Sequence, residues 1–179
     1  MYVDHMASRG IRAVGVDFAW GLPIAGMRKG FKGTYVCADA LKLPFADDSF
    51  DTVSMLTVLE HIPDDESAVR EILRVARKRI TLIVPQVEDP VLLASGLCLK
   101  NRLDRSHVHY YTADAIAGLI EKAGAKLVSQ YAVNAVAIRM LIFRSLRLPS
   151  AAIFIVRAIL KLLPWRYYYN EWVIVADVV

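Results

Sequence analysis

Cysteine is nearly missing: Cys37 and Cys98 are the only two in 179 residues. Both stand among apolar neighbours without CxxC or Cys/His spacing, which argues against a disulfide framework and a cysteine-based zinc site. A reducing, cytoplasmic setting is the default expectation. Long hydrophobic runs are lacking too, none reaching the roughly 18 to 20 residues of a membrane span. The N-terminal MYVDHMASRG has no apolar core of a signal peptide, so neither export nor a spanning helix is expected. Acidic residues become scarce toward the end: residues 122–179 carry 8 basic and 2 acidic side chains, against 14 and 16 in residues 1–121. That asymmetry suits an anionic surface, but dense Lys/Arg clusters with interleaved aromatics are absent, so no nucleic-acid partner is expected.

What remains is apolar, 56% hydrophobic against 22% charged. Such a chain collapses, and its length fits one domain over residues 1–179. Short β-rich runs alternate with helical stretches. IRAVGVDF (11–18), TYVCAD (34–39), FDTVSMLTVL (50–59) and RITLIVP (79–85) read as parallel strands linked by crossovers and covered on both faces. A helix starts near Asp64 or Asp65, puts Val69, Ile72, Leu73 and Ala76 on one face, and ends in Arg77, Lys78 and Arg79. A second helix runs from Thr112 as N-cap to Lys122, with Gly124 as its stop. KLVSQYAV (126–133) and EWVIVADVV (171–179) read as closing strands. The segment between them is too long for a plain loop, and Pro149 divides it into two expected helices, 135–147 and 150–163.

Strand IRAVGVDF ends on Asp17, and ligands of open parallel sheets sit at the carboxyl ends of strands. A carboxylate there can accept both hydroxyls of a ribose. Alone, Asp17 fits a nicotinamide-binding domain or a simple helix cap equally. Asp39 stands at the end of the next strand, followed by ALKLPF, the acidic turn ADDSFD and then TVSMLTVLEHIPD. A nicotinamide domain has no use for that second acid.

Residues 34–65 together resemble the signature of class I S-adenosylmethionine-dependent methyltransferases of the small-molecule, type 11 kind. The similarity covers about residues 11–133 and the last strand. It implies an α/β, Rossmann-like doubly wound sheet, mostly parallel with an antiparallel last strand. It also implies S-adenosyl-L-methionine as cofactor, with Asp17 on the ribose hydroxyls, Phe18 against the adenine, Asp39 accepting from the adenine amino group and the Ala40 backbone reading the ring. Leu56, Thr57 and His61 would neighbour the sulfonium, and Asp51 would be structural. Methyl transfer from a sulfonium is an in-line displacement, so a base is needed only where the acceptor loses a proton. His61 and the pair His107 and His109 are the candidates, since His titrates nearest neutrality. Their rival reading is polar surface. A metal reading of His-Val-His finds no further ligand at a recognisable spacing, so no metal is expected.

In the resembling family, a strand ending in an acid and a Gly-x-Gly-x-Gly turn precede the segment that residues 1–9 resemble. No such stretch occurs here, and the resemblance implies an N-terminally truncated domain lacking the first, central strand of the order 3-2-1-4-5-7-6. A start assigned too late, a shortened chain, or decay with the two flanking strands pairing directly would each account for it. Cofactor affinity is then expected to be weak or absent. The helical insert at 134–165 reads either as a cap over the pocket or as a basic, interfacial helix pair touching a membrane through 135–166, with Trp165 and three tyrosines at headgroup depth. The expected function is methyl transfer to a small or lipid-linked acceptor. The alternative is a non-catalytic interaction or membrane-associated protein on the same fold.

Overall fold

The computed structural model describes residues 2–19, 21, 33–87, 104–134, 136–137 and 167–179. Helix α1 (Tyr2–Ser8) precedes β1 (Val14–Asp17) and β2 (Thr34–Cys37), which pair in parallel with Asp17 opposite Cys37. Asp4 of α1 ties the helix to this pair by accepting from the Tyr35 hydroxyl at 2.9 Å and the Gly33 amide at 3.3 Å. Gly15 has a steric reason to be glycine, since a Cβ there would stand 2.8 Å from the Tyr35 ring.

The second sheet holds the core. Its strands are β3 (Phe50–Leu56), β4 (Ala76–Pro85), β5 (Ala125–Val133) and β8 (Glu171–Val178), in the order β3-β4-β8-β5. β3 and β4 run parallel, and β8 is antiparallel to both its neighbours. This is the 4-5-7-6 portion of the expected order, and β1 and β2 correspond to its strands 2 and 3. Among the described strands β1 and β3 do not pair with each other, so direct pairing of the flanking strands is not what the described residues adopt.

Helices α2 (Asp65–Val75) and α3 (Ala113–Lys122) cover one face of this sheet. α2 begins where Asp64 accepts from the Ser67 amide at 3.0 Å, and α3 where Thr112 accepts from Ala115 at 3.2 Å. Each cap satisfies one of the amide donors a helix start leaves open. Val69, Ile72 and Leu73 from α2 and Ile116 and Ile120 from α3 bury against Ile80, Leu82 and Val84 of β4 and Ile174 of β8. The period-two spacing on β4 points these three at the helices, while Thr81 and Ile83 on the opposite face are half-buried. On β4, then, one face is fully buried and the other partly so.

Two expectations need correction. Arg77, Lys78 and Arg79 do not close a helix: α2 stops at Val75, and the three lie on β4, which begins at Ala76 in extended conformation. Partners on neighbouring strands draw them there, Asp51 of β3 meeting Arg77 at 2.7 Å and Lys78 at 2.9 Å, and Asp177 of β8 meeting Arg79 at 2.7 Å. Arg77 and Lys78 hold the Asp51 carboxyl down to about 2.

The insert helix expected from 135 also starts too early. Asn134 turns the chain in the left-handed region, and β6 (Val136–Ala137) pairs antiparallel with β7 (Tyr167–Tyr168) instead. The rest of the expected helices, 138–147 and 150–163, lies outside the described residues, as does most of the membrane-contact segment. No helix among the described residues is long and apolar enough to cross a membrane.

Candidate functional site

Two groups of residues stand at the carboxyl ends of the strands. The first closes β1 and β2. Asp17 accepts from the Ala19 amide at 2.8 Å and Asp39 from Leu41 at 2.9 Å, so each carboxylate braces its own turn through one oxygen. This closes a local turn at Asp17, and the helix it would cap lies largely outside the described residues. A carboxylate has about four acceptor sites and one such bond uses one of them, so bracing and ligand binding are compatible. Because Asp17 lies opposite Cys37, Asp39 follows two residues beyond that register position, and the two acids cap adjacent strands. The Phe18 ring is 78% exposed, an open apolar plate beside them. Ala40 packs on the core, which fixes the backbone next to Asp39.

The loop after Asp39 is held from α2 by a clamp absent from the sequence reading. Arg74 donates to the carbonyls of Leu43 and Phe45 at 3.2 and 2.9 Å, to Asp47 at 2.6 Å, and to both oxygens of Glu71 at 2.8 and 2.9 Å. Glu71 in turn accepts from the Leu43 amide at 2.7 Å. The Leu-Pro-Phe turn and the acids after it are therefore shaped around one guanidinium, which supplies several donors in a rigid fork.

The second group closes β3 and β4. β3 ends at Leu56, and Thr57 then adopts φ 51°, a left-handed conformation that costs a β-branched residue strain. Its amide is pinned to the Ile83 carbonyl at 2.9 Å, and a 3-10 turn, Leu59–His61, follows. The chain at 104–111 crosses this turn. The Val108 and His109 amides donate to the Glu60 carbonyl at 2.8 and 3.3 Å, and Tyr111 N donates to Pro85. Buried Tyr111 also donates its hydroxyl to Asp65 at 2.9 Å; burial, reinforced by that carboxylate, pushes the phenol well above its ordinary range and keeps it a donor.

These connections bring His61 and His107 together, ring centroids 4.7 Å apart and tilted by 71°. Glu60, 1% exposed, stands beside them, and one donor atom from each of the three lies within 4.8 Å of the others. Burial raises the Glu60 carboxyl above the usual range. Burial, with His61 nearby, lowers His107. His109 does not join this cluster: its Nε2 lies 3.2 Å from the Pro63 carbonyl and its ring beside Tyr111. Of the three candidate histidines, the structure brings His61 and His107 together and leaves His109 apart, with the turn at Asp104–Ser106 leading into His107. Glu60 was the residue missed, and its separation of 47 positions from His107 leaves no local signal.

A mostly parallel α/β sheet with acids on neighbouring carboxyl ends and an irregular turn after the third strand defines a Rossmann-like domain for an adenosine-bearing cofactor. A methyltransferase-domain family model matches residues 1–84. Residues 1–84 thus carry a methyltransferase-type domain sequence, and the fold is the one S-adenosylmethionine-dependent methyltransferases share. The chain is 42% identical over 80 residues to a demethylmenaquinone methyltransferase of Roseiflexus sp. (strain RS-1), covering 44% of this chain and 34% of that protein. With the enzyme of the same name from Corynebacterium urealyticum it shares 31% over 103 residues, 58% of this chain and 44% of that one. The chain thus spans less than half the length of either relative. Among solved structures, an S-adenosylmethionine-dependent methyltransferase from Methanosarcina mazei superposes with TM-score 0.64 at 14% identity, over 98% of this chain and 85% of that one. The magnesium protoporphyrin IX methyltransferase of Synechocystis PCC 6803 gives 0.65 at 12%, over 99% and 68%.

Proposed function

We propose that the protein transfers a methyl group from S-adenosylmethionine to the ring of a lipid-linked quinol of the demethylmenaquinone kind. Asp17 binds the ribose hydroxyls, Phe18 and Ala40 flank the adenine, and Asp39 accepts from its amino group. Leu56 and Thr57 lie along the methionine end. The observation that carries the reading is the placement of Asp17 and Asp39 at the ends of the adjacent, parallel-paired strands β1 and β2. The named relatives support the quinone ring as acceptor. The apolar, basic sequence at 134–165 suits a prenyl-type tail.

The chemistry sets a condition on the acceptor. An oxidised quinone ring is electron-poor, whereas a quinol that has lost one hydroxyl proton pushes electron density onto its ring carbons. One of these attacks the methyl as the sulfur leaves with its bonding pair, giving S-adenosylhomocysteine, and the ring carbon then gives up its proton. The Glu60, His61 and His107 cluster is the place for the hydroxyl proton to be lost.

Incubation with methyl-tritiated cofactor and a short-chain demethylated naphthoquinol should label the reduced acceptor and leave the oxidised one unlabelled. Equal labelling of both, or none of the quinol, would count against this function; no transfer together with vesicle binding is what a non-catalytic membrane protein would give.

A further inference from the structure

Two buried polar atoms lack a partner on residues that cluster at the turn Leu59–His61, one donor atom from each residue lying within 4.8 Å of the other and of one from His61. Glu60 Oε2 and His107 Nδ1 are both shielded from solvent and make no hydrogen bond, and the Glu60 residue and the His107 side chain are 1% and 8% exposed. An unmatched buried polar atom costs about 1 to 3 kcal/mol, so a pair of them on residues clustered with a third donor calls for a shared occupant. We propose that Glu60, His61 and His107 form a binding site for a divalent transition-metal ion of the zinc type.

The donor set decides the class of ion. Two imidazoles and one carboxylate suit zinc and its first-row neighbours, whereas magnesium and calcium take oxygen ligands. Around a tetrahedral ion with bonds of about 2.1 Å, donors stand about 3.4 Å apart. The three donor atoms already lie within 4.8 Å of one another, and His61, the exposed member, is the side chain that can close the difference.

The surroundings of His61 match what orients a metal-ligating histidine. His107 has its Nε2 facing Asp104 at 3.8 Å, beyond hydrogen-bond length, and its Nδ1 unpartnered. His61 holds Nδ1 against Ser106, 3.2 Å from its carbonyl and 3.1 Å from its hydroxyl, which leaves Nε2. Ser106 is itself fixed by donating to Asp104 at 2.5 Å. A carboxylate or carbonyl on the second ring nitrogen sets the tautomer and raises the basicity of the first.

Three protein ligands leave a fourth position for water or for an oxygen of the acceptor. A bound quinol hydroxyl would lose its proton to solvent more readily there, a consequence that rests on the proposed acceptor, while the metal site itself does not.

Chelator-treated protein is titrated with zinc by calorimetry, and with cobalt by its visible absorption, in the absence of cofactor and acceptor. One ion per chain and intense tetrahedral cobalt bands are expected. Glu60→Gln, His107→Asn and His61→Gln should each weaken zinc at least about tenfold, since each removes one of three ligands. His61 is exposed, so its variant reads out binding even where the two buried ones fail to fold. His109→Gln should bind as the parent does. No stoichiometric zinc, or affinity unchanged in His61→Gln, would overturn the site and assign the two buried atoms to a bridging water. Methyl transfer can fail without touching this result, so the two proposals are separable.

Discussion

Replacing Leu82 by Ala should lower the free energy of unfolding by about 3 to 4 kcal/mol, read from urea denaturation at constant slope. Leu82 is fully buried at the centre of β4, between α2 and α3 on one side and paired to β3 and β8 along its edges. Truncation removes the transfer energy of the lost carbons and leaves a cavity whose walls, both strands and helices, have little freedom to collapse. Val128 gives the contrast. It lies on β5, half exposed, and its replacement by Ala should cost only about 0.5 kcal/mol. Equal losses at the two positions would mean that the core does not lie on the helix-covered face.

Arg74→Ala should cost about 2 to 3 kcal/mol, because it leaves Glu71, 15% exposed, without its main partner and frees two loop carbonyls. The contribution of Asp47 is small by comparison, its side chain being 74% exposed and screened. Lysine at this position should restore little, since one ammonium cannot serve carboxylate and carbonyls at once.

The clamp also carries a pH signature. Hydrogen bonds from Arg74, more than offsetting partial burial, hold the Glu71 carboxyl below its ordinary range. A lowered folded value means that the stabilisation is complete above the unfolded carboxyl's pKa of about 4.3 and fades as the pH falls through the folded value. The Arg74→Ala protein should therefore lose less stability than the parent between neutral and acid pH. An identical decline in both would place the acid sensitivity elsewhere.

What could be read from the sequence was local. Asp64 and Thr112 cap their helices as their positions imply, and Asp17 and Asp39 end their strands, because caps and period-two alternation need only neighbouring residues. The acidic turn at ADDSFD was also visible, but not its reason, since Arg74 lies 27 residues beyond Asp47 and on another element. The same distance problem misassigned Arg77–Arg79: as isolated sequence they suit a helix C-terminus, and only Asp51 and Asp177 on adjacent strands draw them into β4. The meeting of Glu60 with His107 depends on the path of the chain at 104–111 over the 3-10 turn, which no periodicity announces. Strand order was legible only through the family resemblance, as nothing in the residues of β8 states that it inserts between β4 and β5.

The central claim is that the ends of β1 and β2 hold the adenosine of S-adenosylmethionine. Titration of the protein with S-adenosylhomocysteine, followed by ligand-observed NMR so that weak affinity is still read, tests it most directly. Saturable binding is expected, weakened at least about tenfold in Asp17→Ala and in Asp39→Ala, the loss corresponding to a hydrogen bond to a charged group. No saturation in the parent, or the same affinity in all three folded proteins, would contradict it.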